Sequence, residues 1–173
     1  MSKRFYVTLV FILLAIIGIF YWYSPNLPHE KMKRSILSQY LASQEQMNAD
    51  LNFALDFYYK GEIENFILSL AKANEQTAVA RALTGNGTPI NNHNNTIDSG
   101  SLYEFQHKSN SIIYIVFSNA VNGTLTEEDI GNLEAHTKKI NQFLSRIDNK
   151  KLFSGNTSGQ IEREIEIIIE ETR

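Results

Sequence analysis

Cysteine is absent from all 173 residues. Its absence excludes a disulfide scaffold, a thiolate nucleophile, cysteine-ligated zinc or iron–sulfur sites and the acylated cysteine of a lipoprotein. Proline occurs three times, glycine nine times and tryptophan once, too sparsely for collagenous or Pro/Gly-rich disordered chains. A basic excess is also missing. The 16 Lys and Arg stand against 19 Asp and Glu, a net charge of -3, which argues against nucleic acid as a partner. There is no HExxH zinc-protease pattern, no nucleophile elbow and no phosphate-binding glycine loop. With 43% apolar and 20% charged residues, the chain reads as one ordinary domain with a terminal appendage.

The averages conceal a division. Phe5 to Tyr23 is a stretch of 19 residues without a charge, and as a helix it would cover about 28 Å, close to a bilayer's hydrocarbon core. Lys3 and Arg4 precede it, and Tyr21, Trp22 and Tyr23 follow, placing amphipathic rings where headgroups lie. Pro25 and Pro28 would stop the helix. A cleaved signal peptide is the competing reading, but the apolar run is longer than the usual leader and no small-residue cleavage site follows it. The positive-inside count is nearly balanced by Lys31, Lys33 and Arg34. A short charged leader with an acidic domain behind it is expected to stay inside.

The expected layout is a cytoplasmic leader at 1–4, a signal-anchor helix at 5–23 in the cell membrane, and an extracytoplasmic C-terminal domain in contact with membrane lipid. Without Lys3 and Arg4 the remainder carries 14 basic and 19 acidic residues, a net of -5. Twenty Ile and 17 Asn against 11 Ala resemble the usage of an AT-rich bacterial genome. The sequons at Asn86, Asn94, Asn122 and Asn156 then read as chance.

In the outer domain Met32, Ile36, Tyr40, Met47, Leu51, Leu55 and Tyr59 form one helical stripe. Gln44 interrupts it, at a point expected to meet water or a partner. Ile63, Phe66, Ile67, Leu70, Ala78 and Leu83 continue the phase, so residues 24–84 form either a hairpin turning at Gly61 or one long helix. The hairpin covers Phe53, Phe57, Tyr58 and Phe66 better. Residues 85–100, crowded with Asn and Gly, read as a flexible loop, and 101–173 as distal helices of the same domain.

Leu102, Phe105, Ile112, Ile113, Val116 and Ala120 suit a helix ending at Asn122 and Gly123. Thr126 caps another, with Glu127, Glu128 and Asp129 in its first turn and Ile130, Leu133, Thr137, Ile140, Leu144 and Ile147 as its stripe. Ile161, Ile165, Ile168 and Thr172 fit a last helix. The fold class is therefore mainly α, an antiparallel four- or five-helix bundle. The alternative is α+β, with short strands near 111–118 and 165–169, where β-branched residues and Ile–Glu alternation fit strands nearly as well.

Candidate chemistry is thin. Glu104 and His107 share a helix face, but carboxylate-bridged metal bundles need two such pairs and two further glutamates. His136 is expected on a solvated flank, His93 with Asp98 in the Asn-rich loop, and His29 at a helix start. Glu162, Glu164, Glu166, Glu170 and Glu171 lack the spaced Asp, Asn and Gly of a calcium loop and read as a solvated face. No catalytic, metal or cofactor-binding residue is expected.

The expected role is non-enzymatic: an accessory subunit, inhibitor, immunity protein or scaffold presented to another envelope membrane protein, with Phe53, Phe57, Tyr58 and Tyr59 as the partner-binding positions. The alternatives are a membrane-tethered hydrolase or metal protein using Glu104 and His107, and a ligand-sensing bundle acting through a separate membrane partner. A pilin-like subunit lacks its processing glycine and glutamate.

Overall fold

The computed structural model describes residues 10–19, 28–84, 97 and 99–172. Seven helices and no strand occur among them: α1 (10–19), α2 (Pro28–Tyr59), α3 (Ile63–Thr84), α4 (Gly100–Val121), α5 (Glu127–Ser145), α6 (Asn149–Phe153) and α7 (Ser158–Thr172). Both strand alternatives are thereby corrected. Residues 111–118 lie in α4 because Ile113, Val116 and Ala120 recur at helical spacing on its buried side, while Tyr114 and Ile115 face outward. In α7, Ile161, Ile165, Ile168 and Ile169 are buried and Ile167 is exposed, so the core selects the 3.6-residue period over the Ile–Glu alternation.

Among the described residues no helix is long and apolar enough to cross a membrane. Of the span expected over Phe5 to Tyr23, residues 10–19 are described, helical and exposed. Lys3, Arg4, Tyr21, Trp22 and Tyr23 lie outside the described residues, as does most of the Asn-rich loop. Ile97 within that loop is buried, and its amide donates to the Leu83 carbonyl at 2.9 Å.

Helices α2 to α5 run alternately up and down. Gly61, at φ +76°, turns the chain between α2 and α3, a left-handed conformation open to glycine. Tyr58 of α2 then meets Phe66 of α3 with ring centroids 5.4 Å apart. Gly123, at φ +69°, does the same after α4. Thr126 and Asp129 begin α5 with a reciprocal capping box: the Thr126 amide donates to Asp129 at 2.9 Å, and the Asp129 amide to Thr126 Oγ1 at 3.2 Å. The Thr126 amide and then the Thr126 hydroxyl, both donating to the Asp129 carboxyl, hold it below its usual range.

Helix α5 lies against both α2 and α4, and α7 packs on α2, α4 and α5 where the bundle would otherwise be open. Glu30 accepts the Ser158 amide at the start of α7, 2.7 Å. The glutamates expected on a solvated face help hold α7 in place. Ser99 donates to Glu166, Ser101 to Glu170 at 3.2 Å, and Arg146 pairs with Glu171 at 2.7 Å. Between α5 and α7 lies the single-turn α6, capped by Asp148, and Arg34 donates to the carbonyl of its last residue, Phe153.

Candidate functional site

The interior is not uniformly apolar. Gln44, expected to face water or a partner, is buried, and its amide donates to Gln106 Oε1 of α4 at 2.7 Å. Gln106 in turn donates to the Thr77 carbonyl of α3 at 3.3 Å, and the Thr77 hydroxyl donates to the Asn74 carbonyl and contacts Asn110 Oδ1 at 3.0 Å. The break in the α2 stripe is thus closed by a polar layer that ties three helices together. Gln44 Oε1, Asn74 Oδ1 and the Tyr40 hydroxyl are buried in it without a hydrogen-bond partner. Burial alone pushes the Tyr40 phenol upward.

His136 departs furthest from the sequence reading. It was expected on a solvated flank and is only 3% exposed. The core face keeps Ile130, Leu133, Thr137 and Ile140 of the expected stripe and adds His136 and Phe143, while Leu144 and Ile147 are half-buried at its margin. Three neighbours cover that side of α5. The sequence signal that could have found it is the row Leu133, His136, Ile140 and Phe143, at steps of three and four ending on a large aromatic. Phe105 packs beside both rings, with centroids 6.2 Å from His136 and 5.5 Å from Phe143.

Nε2 of His136 lies 2.9 Å from Ser109 Oγ of α4. Ser109 Oγ is also within donating distance of the Phe105 carbonyl, 2.9 Å away, and the tautomer of the ring sets which of Nε2 and Ser109 donates to the other. Nδ1 is buried and without a partner. The imidazole is neutral: burial, and then the charges of Lys108 and Lys139, lower its pKa to about 4.

A Ser–His contact at this distance is also the geometry of a nucleophile and its base. Here Ser109 is fully buried. Among the described residues no carboxylate bonds Nδ1 to orient the ring as a hydrolytic relay requires.

His136 lines a cleft of about 290 Å³ with Glu104, Phe105, Lys108, Lys139 and Thr172. The cleft brings together α4, α5 and the end of α7. A second surface groove of about 320 Å³ lies among Arg146, Asp148, Lys151, Asn156 and Glu164. Of the residues named for metal chemistry, Glu104 borders the first cleft, whereas His107 is exposed and stacks loosely on Tyr103, ring centroids 6.1 Å apart. Among the described residues no group of three or more His, Asp or Glu is placed to hold a metal ion.

The aromatic positions near the end of α2 separate into two kinds. Phe57 and Tyr58 are half-buried against the core. Phe53 is 59% exposed and Tyr59 65% exposed. The Tyr59 hydroxyl donates to Glu134 Oε1 at 2.5 Å, and this bond to a carboxylate is the first cause of its raised pKa. Ile63 just past the turn is exposed, as is Val121 at the same end of the bundle.

The chain matches no family model, no curated protein and no solved structure. A functional reading therefore rests on its own residues. His29 lies 3.6 Å from Glu30 at the exposed start of α2, and His93 and Asp98 fall outside the described residues.

Proposed function

We propose that the protein is a single-pass membrane protein that presents an acidic, extracytoplasmic helical bundle as a non-enzymatic interaction module for another envelope membrane protein. The apolar segment Phe5 to Tyr23 is the anchor in this reading, with the N-terminus in the cytoplasm, and membrane lipid is its immediate surrounding. The observation that carries the role is the exposure of Phe53 and Tyr59 on α2. Phe57 and Tyr58 fix the backbone beneath them by packing inward.

Two large aromatics standing out of a well-capped helix supply rigid contact area at low entropic cost, which is how interface anchors are built. Ile63 and Val121 extend the apolar character of that end. An accessory subunit, an inhibitor and a scaffold would all use such a surface.

Cross-linking with mass spectrometry in native membranes should recover one dominant partner. Replacing Phe53 by Asp and Tyr59 by Ser should abolish that capture while leaving the far-UV circular dichroism of a folded bundle, because both side chains lie outside the core and the Tyr59–Glu134 bond is on the surface. Recovery of no partner, or undiminished capture by the double variant, would overturn the reading. Protease added to spheroplasts should digest the bundle, and full protection would reverse the topology.

A further inference from the structure

We infer that the outward face of α3 is a self-association surface, and that its partner is a second copy of this chain laid against it in antiparallel register about a two-fold axis. This does not rest on the partner reading above, which uses Phe53 and Tyr59 of α2.

The observation that carries it is the order of the exposed residues. Helix α3 packs on α2 and α4 through a buried side that includes Phe66, Leu70, Ala73 and Thr77. On the opposite side Asn65, Leu68, Lys72, Glu75, Val79 and Ala82 are all exposed, Leu68 to 55% and Val79 to 44%. They follow one another at steps of 3, 4, 3, 4 and 3 residues, the alternation that keeps one narrow stripe of a helix turned toward a facing helix.

This stripe is complementary to itself when its direction is reversed. With a two-fold axis between residues 73 and 74, a second copy sets Leu68 against Val79 and Lys72 against Glu75, and brings Ala82 opposite Asn65. Symmetry makes each pairing twice, as an isologous contact requires. Apolar meets apolar and cation meets anion: two ion pairs lie at the centre, with a Leu–Val pair on either side. Neither Lys72 nor Glu75 makes an ion pair or hydrogen bond with another described residue, so both charges are available to the second copy. Ala71 and Ala78 beside the stripe are small enough to let the two backbones approach.

Charge also selects the direction. A parallel pairing would set Lys72 against Lys72 and Glu75 against Glu75 of the second copy, a like-charge juxtaposition at the middle of the contact that disfavours it. From 65 to 82 the stripe is about 26 Å long, and one helix face of that length lies at the small end of specific interfaces. The dimer is therefore reversible and depends on concentration. Its axis crosses α3 at right angles, so for two copies anchored in one membrane it stands along the membrane normal and α3 lies parallel to the surface.

Because the chain has no cysteine, an introduced thiol reports without background. Full-length Leu68→Cys and Val79→Cys chains, in neutral detergent, are oxidised separately and as an equal mixture. The mixture should yield a disulfide-linked dimer holding one chain of each kind. Each chain alone should stay monomeric, because antiparallel register sets like positions about 16 Å apart along the axis, beyond the reach of a disulfide. Absence of the mixed dimer would overturn the inference, and so would cross-linking of either chain alone at the rate of the mixture.

Sedimentation velocity of the otherwise unaltered full chain tests the charges. Lys72→Glu and Glu75→Lys each turn both central pairs from attraction to repulsion, and each should weaken self-association about tenfold or more while the far-UV circular dichroism is unchanged. Mixing the two variants should restore association to the wild-type level, since every facing pair in the mixed dimer is again opposite in charge. Self-association indifferent to both reversals, or a mixture no tighter than the single variants, would contradict the antiparallel contact.

Discussion

A buried neutral histidine makes the stability of the bundle depend on pH in a window that the structure specifies. His136 has an unfolded-state pKa near 6.5 and a folded-state value of about 4, lowered first by burial and then by Lys108 and Lys139. Above pH 6.5 both states hold a neutral ring, and the group adds no pH dependence. As pH falls from 6.5 towards 4 the unfolded chain takes up a proton that the folded chain refuses, so stability falls. Below about 4 both states are protonated, and the loss levels off. At pH 5 the loss relative to pH 8 amounts to about 2 kcal/mol. With a urea dependence of about 2 kcal/mol per molar for a domain of this size, the unfolding midpoint moves down by about 1 M.

The assay is urea unfolding at half-unit intervals between pH 8 and 4, on the wild type and His136→Gln. The variant loses stability at every pH, because Gln leaves Ser109 and the cavity imperfectly filled, but its curve should lack the step between 6.5 and 4. The Asp129 carboxyl, also shifted downward, titrates at lower pH and leaves this window clear. Parallel curves for the two proteins would refute the assignment of His136 as a neutral buried group.

Three further outcomes follow from the same structure. Gln44→Leu should cost about 1–3 kcal/mol, since it removes the donor to Gln106 Oε1 and leaves that oxygen buried. The Gln44→Leu, Gln106→Leu double variant should lose less than the sum, measured as a coupling free energy in a double-mutant cycle. Thr126→Ala removes the side-chain half of the α5 capping box and should destabilise by about 1 kcal/mol in thermal unfolding. Gly61→Ala should cost about 1–2 kcal/mol from its positive φ alone, since a Cβ there meets no atom within 4 Å; an unchanged melting temperature would mean that the α2–α3 turn can relax.

The legible parts of the fold were those where period, cap and turn agreed. The Thr126 cap, the turns at Gly61 and Gly123 and the buried set Ile36, Tyr40, Met47 and Leu51 all stand in the sequence as local chemistry. Less legible was any face chosen by several neighbours at once. In α3 the buried side runs through Ser69, Ala73, Thr77 and Ala80, small or polar residues that a search for large apolar side chains passes over. In α5, contact with α2, α4 and α7 extends the core face onto His136 and Phe143 and leaves Leu144 only partly covered. The run from Ser111 to Ser118 could not declare itself helix or strand by composition; its place between α3 and α5 decides it.

The candidate cleft was illegible for the same reason. Its lining comes from Glu104, Phe105, Lys108, His136, Lys139 and Thr172, and no spacing along the chain announces that these converge. Among the four aromatic positions near the end of α2, sequence alone could not separate inward Phe57 and Tyr58 from outward Phe53 and Tyr59.

The proposed interaction role is tested most directly by a photo-cross-linking residue placed at Phe53 or Tyr59 in living cells, with Lys150, exposed on α6, as the control position. The account predicts one discrete adduct from positions 53 and 59 and none from position 150. No adduct at either aromatic position, or the same adducts from all three, would contradict it.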